Sequence, residues 1–351
     1  MIEILLRAPL YKSFKYFGFP KVKPLSITVS VTRRCNSRCL TCNIWKDSRK
    51  EELSAEEYRK IFAGIGRSPF YITFSGGEPF LRRDFGDICK TAYDNCRPRI
   101  ITIPSNGILS ERIPAAVGEI ADNCREARII LNLSLDGLGK KHDEIRGVPG
   151  CFQRMLSTFE GLKRLSIPNL QVGFHTVISK HNAHEIPRIY EFAMSAGADS
   201  YVTEIAEERV ELGTVGSGIA PNGEDYAAAA GYIVKAAGRQ DVKGFPRIIR
   251  ALRKRYYNHV MDMTSGKDAW IPCYAGIASG QINSNGDIWF CCIKGEPIGN
   301  LREAGYDFGK IWFSGKAGAR RKLITAEKCR CPMANVFYTN IIMNPSRFFF
   351  S

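Results

Sequence analysis

The sequence contains no apolar stretch long enough to cross a bilayer, which argues against an integral membrane protein. Its first residues also lack the features of a secretory signal, because charges interrupt every apolar run in MIEILLRAPLYKSFKYF. A secreted fold held together by disulfides is therefore not expected. The composition instead predicts a cytoplasmic chain, whose 44% of apolar residues suffice for a sizeable core.

Motifs of several other protein classes are missing as well. No nucleic-acid-binding motif accompanies the formal net charge of +15, so nucleic acid is not the expected partner, although the charge favours an anionic or lipid-linked substrate. The segment ahead of residue 25 is too short for a domain that binds a peptide leader, which lowers the expectation of a role in peptide maturation. No cobalamin-binding domain is visible.

Cysteine, by contrast, is abundant. Twelve cysteines in a chain without an export signal point to metal or redox chemistry. Three of them lie within eight residues of one another in the stretch RRCNSRCLTCNIW, at residues 33–45. Four others lie in or beside helix-like segments without ligand spacing and are interpreted as structural core residues: Cys89, Cys96, Cys124 and Cys151.

Apolar runs rich in β-branched residues alternate with helical patterns along the first two thirds of the chain. The runs are 25–31, 71–74, 100–104, 129–135, 170–178 and 200–205. Between them, helical patterns begin at the capping box SAEE, at Ser54, and cover about 84–96, 111–124, 150–165 and 184–196. This alternation predicts an α/β fold with a parallel sheet and crossover helices, in the form of a partial (β/α)6 barrel.

Chemistry in such a barrel lies at the carboxyl ends of the strands, and polar motifs stand at these positions. The cysteine stretch follows the first run, and SGGEPF at 75–80 follows the second. The third run is followed by SNG at 105–107, and the fourth by DG at 136–137. We expect these four motifs to converge on one site.

The spacing Cys-x3-Cys-x2-Cys supplies three thiolates, one fewer than a four-iron cluster has irons. On this motif, directly after a first strand, the chain resembles the radical S-adenosylmethionine (SAM) superfamily over roughly residues 25–205. The resemblance implies a 4Fe–4S cluster on Cys35, Cys39 and Cys42, with SAM chelating the open iron. One position departs from the family: Thr41 stands where an aromatic residue usually contacts the adenine, a contact that Ile44 or Trp45 would have to supply.

The stretch GGEP strengthens the resemblance. A glycine pair lets backbone approach a ligand closely, and a carboxylate accepts hydrogen bonds from an ammonium group. The resemblance assigns the methionyl amino group of SAM to the glycine pair and Glu78, and the ribose or carboxylate to polar side chains further along the chain. The implied cofactor-binding residues are Gly76, Gly77, Glu78, Pro79, Ser134, Asp136 and Arg146.

A second group of cysteines lies near the carboxyl terminus. CYAGIASGQINSNGDIWFCC contains two strand-like runs around a predicted hairpin turn at Asn285-Gly286. With the Gly-x4-Cys spacing, this region resembles the auxiliary-cluster extensions of radical SAM enzymes, the SPASM and Twitch types. The resemblance implies one further 4Fe–4S cluster, with Cys292 as an alternative to one ligand and a four-cysteine zinc site as the alternative reading. The expected ligands are Cys273, Cys291, Cys329 and Cys331.

The resemblance implies reductive cleavage of SAM to a 5′-deoxyadenosyl radical, which abstracts a hydrogen atom from an unactivated carbon of a peptide, carbohydrate or lipid substrate. An electron donor such as flavodoxin or ferredoxin would be needed, and no catalytic residue is assigned. Two alternatives remain: the same chemistry on nucleic acid, or a non-catalytic protein that binds zinc or an iron–sulfur cluster.

Both ends of the chain mix basic and aromatic residues, which predicts either contact with the inner membrane surface or packing against the barrel. We divide the chain into an amphipathic N-terminal segment, a radical SAM core, a basic linker helix and an auxiliary-cluster domain with an apolar tail. The predicted boundaries are 1–24, 25–240, 241–270 and 271–351.

Overall fold

The computed structural model describes residues 2–47, 51–239, 245–268 and 270–344. Six parallel strands form the predicted partial barrel, and their order in the sheet follows their order in the chain. All six predicted strands are confirmed to within two residues at each end. They are β1 (Ser26–Thr32), β2 (Tyr71–Gly76), β3 (Ile100–Ser105), β4 (Arg128–Ser134), β5 (Leu170–Ile178) and β6 (Ser200–Ile205).

Helices cover the outer face of this sheet. The predicted capping box is present, because Ser54 and Glu57 exchange side-chain and backbone hydrogen bonds at the start of the first crossover helix. Short 3-10 turns lie at Ile44–Lys46, Pro79–Leu81 and Ala183–Glu185. The helices are α1 (Ile2–Phe17), α2 (Ala55–Ile65), α3 (Phe85–Cys96), α4 (Arg112–Asn123), α5 (Lys140–Arg146), α6 (Cys151–Arg164), α7 (Ile186–Ser195), α8 (Gly223–Gly238), α9 (Phe245–Thr264), α10 (Phe308–Trp312), α11 (Gly315–Ala326) and α12 (Ala334–Met343).

The alternation of side chains along each strand separates an apolar face from a polar one. Ile27, Val29 and Ile72 belong to the face that packs under the helices, and all are fully buried in the main core. The opposite face lines the inside of the barrel with small polar side chains such as Thr28 and Thr102. The barrel interior is therefore a polar lumen, open at the carboxyl ends of the strands.

The C-terminal region continues the same sheet. Its strands are β7 (Ser279–Ile282), β8 (Asp287–Trp289) and β9 (Pro297–Asn300), and β7 pairs in parallel with β1. The predicted hairpin at Asn285-Gly286 is confirmed between β7 and β8, with Gly286 at a φ of 94°. Because β7 extends the barrel sheet, the two predicted cysteine groups lie on one continuous framework.

The N-terminal segment forms a helix that packs on the amino-terminal end of the barrel. Ile4, Ala8, Tyr11 and Phe14 on α1 share a buried cluster with residues preceding β1 and β7. Among the described residues, no helix is long and apolar enough to cross a membrane. The last part of the predicted C-terminal tail, 345–351, lies outside the described residues, and the predicted domain boundaries stay predictions.

Candidate active site

The cysteine loop that follows β1 is held in place by three neighbouring segments. Backbone bonds join Arg38 and Leu40 to the carbonyl groups at the end of α5, each at 2.9 Å. The side chain of Asn106, after β3, donates to Asn36 at 2.7 Å, and the backbone of Asn43 donates to the loop after β6 at 2.9 Å. The structure thus brings together the motifs that follow the first, second, third and fourth strands, as the sequence predicted.

Glycine is required at both positions at the end of β2, because the backbone there packs directly against the cysteine loop. The backbone N–H of Gly77 donates to Thr32 at 2.8 Å, and that of Glu78 donates to Arg34 at 2.9 Å. A Cβ on Gly77 would lie 2.0 Å from the Arg34 carbonyl oxygen, and a Cβ on Gly76 would lie 2.2 Å from that of Thr32. Gly76 also has a φ of 126°, which side-chain-bearing residues rarely adopt.

We expect Gly77→Ala to destabilise the protein by about 1–3 kcal/mol, because the added methyl must displace backbone of the cysteine loop. Thermal unfolding and iron content after anaerobic reconstitution measure the effect. Gly231→Ala is the matched control, since its Cβ would meet nothing within 4 Å and alanine is favoured in a helix. Equal unfolding midpoints and iron contents in the two variants would contradict this account.

The three thiols of the loop lie in surroundings that fit a cationic metal cluster. Burial raises the pKa of Cys35 to about 11 and that of Cys42 to about 12, and it also raises the pKa of Cys39. Three neighbouring thiolates are therefore costly unless a metal takes up their charge. The nearby guanidinium of Arg146 offsets part of this rise in the pKa of all three thiols.

The side chain of Arg146 is mostly buried and does not lie on the surface. It bridges the cysteine loop and the end of β4. It donates to Asp136 at 3.0 Å, while Asp136 also accepts the backbone N–H of Val177 at 2.9 Å. The Nε of Arg146 is buried and has no hydrogen-bond acceptor among the described residues. Asp136 is thus occupied by protein partners, whereas Arg146 retains a donor for an anionic group such as a carboxylate.

Glu78 is 1% exposed and already accepts three hydrogen bonds. The donors are the backbone of Asn106 at 2.8 Å, the hydroxyl of Ser105 at 3.0 Å and the backbone of Phe80 at 3.3 Å. Burial raises the pKa of Glu78, although these bonds lower it. A carboxylate accepts about four hydrogen bonds, so one position is left for an ammonium group. Glu78 therefore joins the ends of β2 and β3, a structural role that the sequence did not reveal.

The two remaining predicted positions flank this centre. Pro79 is buried at the start of a 3-10 turn directly after Glu78. Ser134 is half-buried at the last position of β4, where it pairs with His175 on β5. The residues present fit a cluster and SAM on three grounds: three thiols, glycines whose place no larger residue can take, and an unpaired buried guanidinium nitrogen.

The second cysteine group also converges. Burial is the main reason that the pKa of Cys273 is raised to about 11, and the nearby thiols of Cys291 and Cys329 also raise it. Cys273 and Cys291 likewise contribute to the raised pKa of Cys331. Cys292 instead donates to the Met333 sulfur at 3.3 Å and lies near Glu211 in the lumen. This placement favours Cys291 over Cys292 as a member of the group.

Within the described ranges, no three His, Cys, Asp or Glu side chains are close enough to share a single metal ion. A four-cysteine zinc site needs bonds of about 2.3 Å to each sulfur, so metal analysis distinguishes the zinc alternative from a four-iron cluster.

A network of charged side chains in the lumen was missed by the sequence analysis. The Nε2 of His175 on β5 lies 3.0 Å from a carboxylate oxygen of Glu204 on β6. Arg209, in the loop after β6, lies 3.5 Å from Glu204 and 2.8 Å from Glu207. The only signal of this network in the sequence is a single polar residue in each of these two strands. Their partners come beside them only when the chain folds.

Several buried polar atoms around this network lack partners. Both oxygens of Glu207, Nε of Arg209 and Nδ2 of Asn283 make no hydrogen bond with a described residue. Glu207 contacts Arg209 as an ion pair, but without hydrogen-bond geometry. Gln281 on β7 donates to Glu211 at 2.6 Å and to Asn283 at 2.9 Å, which joins the C-terminal region to the lumen. Unpaired buried groups of this kind indicate a site for a polar ligand or ordered water.

The two carboxyl groups beside Arg209 differ in their protonation. Burial raises the pKa of Glu207 to about 7, more than the attraction of Arg209 lowers it. The pKa of Glu204, despite burial, falls to about 2 because His175 donates a hydrogen bond and Arg209 adds positive charge.

We expect Glu207→Gln to stabilise the protein at pH 8 by about 3 kcal/mol. This value follows because folding raises the pKa of the Glu207 carboxyl group from 4.5 to about 7, and glutamine carries no charge. Below 4.5 the carboxyl group is protonated in both the folded and unfolded states, so the variant gains nothing there. As pH rises toward 7, the unfolded chain ionises first and wild-type stability falls. Thermal unfolding of both proteins at pH 4.5 and pH 8 measures the difference, and an equal offset at both values would contradict it.

Comparisons with known proteins agree with this architecture. Residues 29–193 match the family described as Radical SAM superfamily. Fe-coproporphyrin III synthase of Methanosarcina barkeri is 33% identical over 178 residues, which are 49% of this chain and 42% of that protein. AdoMet-dependent heme synthase of the same organism is 28% identical over 302 residues and 82% of each chain. The crystal structure of Streptococcus suis SuiB bound to S-adenosylmethionine has a TM-score of 0.64 at 16% identity, covering 88% of this chain and 70% of SuiB.

The fold and the site define a partial β/α barrel with a three-cysteine loop at the carboxyl ends of its strands. Residues 29–193, slightly less than half of the chain, match a radical SAM domain. This match implies a 4Fe–4S cluster and SAM as cofactors. The chain spans 42% of Fe-coproporphyrin III synthase, less than half the length of that protein.

Proposed function

We propose that this protein is a radical SAM enzyme that removes a hydrogen atom from an unactivated carbon of a polar substrate held in the barrel lumen. The observation that carries the proposal is the junction of the cysteine loop with the glycine pair, where Gly77 and Glu78 bond to Thr32 and Arg34. This junction supports a site formed by three thiols, a buried carboxylate and an unpaired guanidinium nitrogen.

In this proposal Cys35, Cys39 and Cys42 hold the cluster, and Gly76, Gly77 and Glu78 receive the amino group of SAM. Arg146, anchored by Asp136, offers its buried Nε to the carboxylate of SAM or to the cluster. When bound, the cluster and SAM supply the one-electron chemistry that the protein itself lacks. The protein orients both groups and limits access of water.

The lumen supports a substrate whose reacting part carries hydrogen-bond donors. Glu207 keeps one buried oxygen without a partner, since the other forms an ion pair with Arg209 at 2.8 Å, and Glu204 and Glu211 add further negative charge. Hydroxyl, amide or ammonium groups would pair with these oxygens, which favours a carbohydrate, a peptide or the head group of a lipid. Nucleic acid is disfavoured, because its phosphates would meet carboxylates in the lumen.

We further propose that Cys273, Cys291, Cys329 and Cys331 hold an auxiliary 4Fe–4S cluster with every iron bound by protein. Burial is the main cause of the raised pKa of Cys331, and the nearby charge of Glu207 raises it further. The candidate ligands of this cluster therefore lie beside the lumen. An auxiliary cluster at this position could exchange an electron with the substrate or hold the C-terminal region in place. A small redox protein such as flavodoxin or ferredoxin would deliver the first electron.

Incubation of the anaerobically reconstituted chain with SAM and dithionite tests the proposed activity. We expect 5′-deoxyadenosine and methionine in equal amounts, together with iron near eight atoms per chain when both clusters are present. A protein that holds about four to eight irons and yet forms no 5′-deoxyadenosine above a no-enzyme blank would overturn the proposal. Zinc without iron would establish the non-catalytic alternative.

A further inference from the structure

The N-terminal helix α1 has two apolar faces, and the barrel covers one of them. Its inner face buries Ile4, Ala8, Tyr11 and Phe14 against residues around the amino-terminal ends of the strands. On the opposite side, Leu6 is 73% exposed, Leu10 is 46% exposed and Phe17 is 83% exposed. These three residues are spaced by four and seven positions, so they lie on one face of the helix.

The exposed face extends beyond this row. Tyr16 is 62% exposed and Phe19, directly after the helix, is 74% exposed. Half of the large apolar side chains that are most exposed in the described ranges therefore fall between Leu6 and Phe19. We name Leu6, Leu10, Tyr16, Phe17 and Phe19 the outer apolar row. Such a concentration in one short segment marks an interaction surface.

The helix is fixed at the amino-terminal end of the barrel, opposite the cysteine loop. Arg7 donates to the backbone of Ser68, ahead of β2, at 2.8 Å, and Tyr11 donates to Lys23, ahead of β1, at 3.0 Å. Lys15 donates to the backbone of Cys273 at 2.6 Å. The outer apolar row is thus held rigidly on the end of the molecule that faces away from the mouth of the lumen.

Exposed cations lie on the same end of the barrel as the row. They lie in the segments that lead into the first four strands, and none forms an ion pair with a described residue. Asp94, Asp122 and Glu126 are the exposed acids nearest to them in the chain, and they offset only part of this charge. The six cations are Lys21, Arg67, Arg97, Arg99, Arg125 and Arg128.

We propose that this end of the barrel docks on an anionic lipid surface, with the outer apolar row inserted at the level of the head groups. An apolar helix face flanked by cations is the arrangement that binds such interfaces, through apolar burial together with attraction to acidic lipids. A second copy of the chain fits less well, because a symmetric contact would bring two sets of unpaired cations together. Docking at this end leaves the mouth of the lumen open to water.

Binding of the full-length protein to vesicles tests this proposal. We expect binding to phosphatidylcholine vesicles that contain about 30% phosphatidylglycerol, little binding to pure phosphatidylcholine, and weaker binding in high salt. The triple variant Leu6→Ser, Leu10→Ser and Phe17→Ser should bind at least tenfold more weakly. Val215→Ser with Leu323→Ser is the matched control, since these residues are 66% and 54% exposed elsewhere.

A second variant separates charge from apolar contact. Arg97→Gln, Arg99→Gln and Arg128→Gln should reduce binding to the acidic vesicles and flatten its salt dependence, and circular dichroism should show that both triple variants keep the wild-type fold. Absence of wild-type binding, or equal binding by the Leu6, Leu10 and Phe17 variant, overturns the proposal. A wild-type dimer that this variant converts to a monomer, without vesicle binding, would show instead that the row joins two copies of the chain.

Discussion

We expect replacement of Cys35, Cys39 and Cys42 by alanine to lower the rate of 5′-deoxyadenosine formation by at least about three orders of magnitude. This corresponds to an increase of about 4 kcal/mol or more in the activation free energy. The loss is this large because the three thiols are the only protein ligands available to the cluster in this loop. Product formation is measured by liquid chromatography after anaerobic reconstitution with iron, sulfide and dithionite.

The matched control replaces three cysteines that the structure places in the helical layer. Cys96, Cys124 and Cys151 are buried in or beside helices, so their alanine variants should lose some stability through small cavities. Those variants should still cleave SAM at close to the wild-type rate. Substantial 5′-deoxyadenosine from the protein lacking Cys35, Cys39 and Cys42 would show that the loop is not the cluster site.

The second large effect concerns the C-terminal cysteines. We expect the variant without Cys35, Cys39 and Cys42 to retain about four irons per chain, following the stoichiometry of one cluster. Further replacement of Cys273 and Cys331 should remove this iron, since a fully ligated cluster rarely survives the loss of two ligands. Iron and acid-labile sulfide analyses of the two variants measure the change.

Cys292 provides an internal control for the same experiment. Its thiol donates to the Met333 sulfur, so Cys292→Ala should keep the iron while Cys291→Ala loses it. The reverse result would exchange the roles of the two residues. Stoichiometric zinc in place of iron would favour a structural site, and absence of any metal would refute both interpretations.

The strands and the contact between the cysteine loop and GGEP could be predicted from the sequence because their signals are local. Runs such as LSITVSV predict buried parallel strands on their own, and the cysteine loop and GGEP follow two of these runs directly. The parallel sheet then places their carboxyl ends side by side. Local periodicity and one topological rule therefore suffice for this part of the structure.

The lumen network and the fixed position of α1 could not be predicted in the same way. His175 and Glu204 are single polar residues in their strands, and Arg209 and Gln281 approach them only after folding. In α1 both faces are apolar, so the helical period of three to four residues is obscured. The sequence assigned no individual role to Ser105 and Asn106, yet both donate to Glu78.

The central claim is that the loop at Cys35, Cys39 and Cys42 holds a cluster with an iron open to SAM. Electron paramagnetic resonance of the reduced variant without Cys273, Cys291, Cys329 and Cys331 tests it most directly. The account predicts a single 4Fe–4S signal that changes when SAM is added, because the open iron gains ligands. A folded variant with about four irons per chain whose signal is unaffected by SAM would contradict the account.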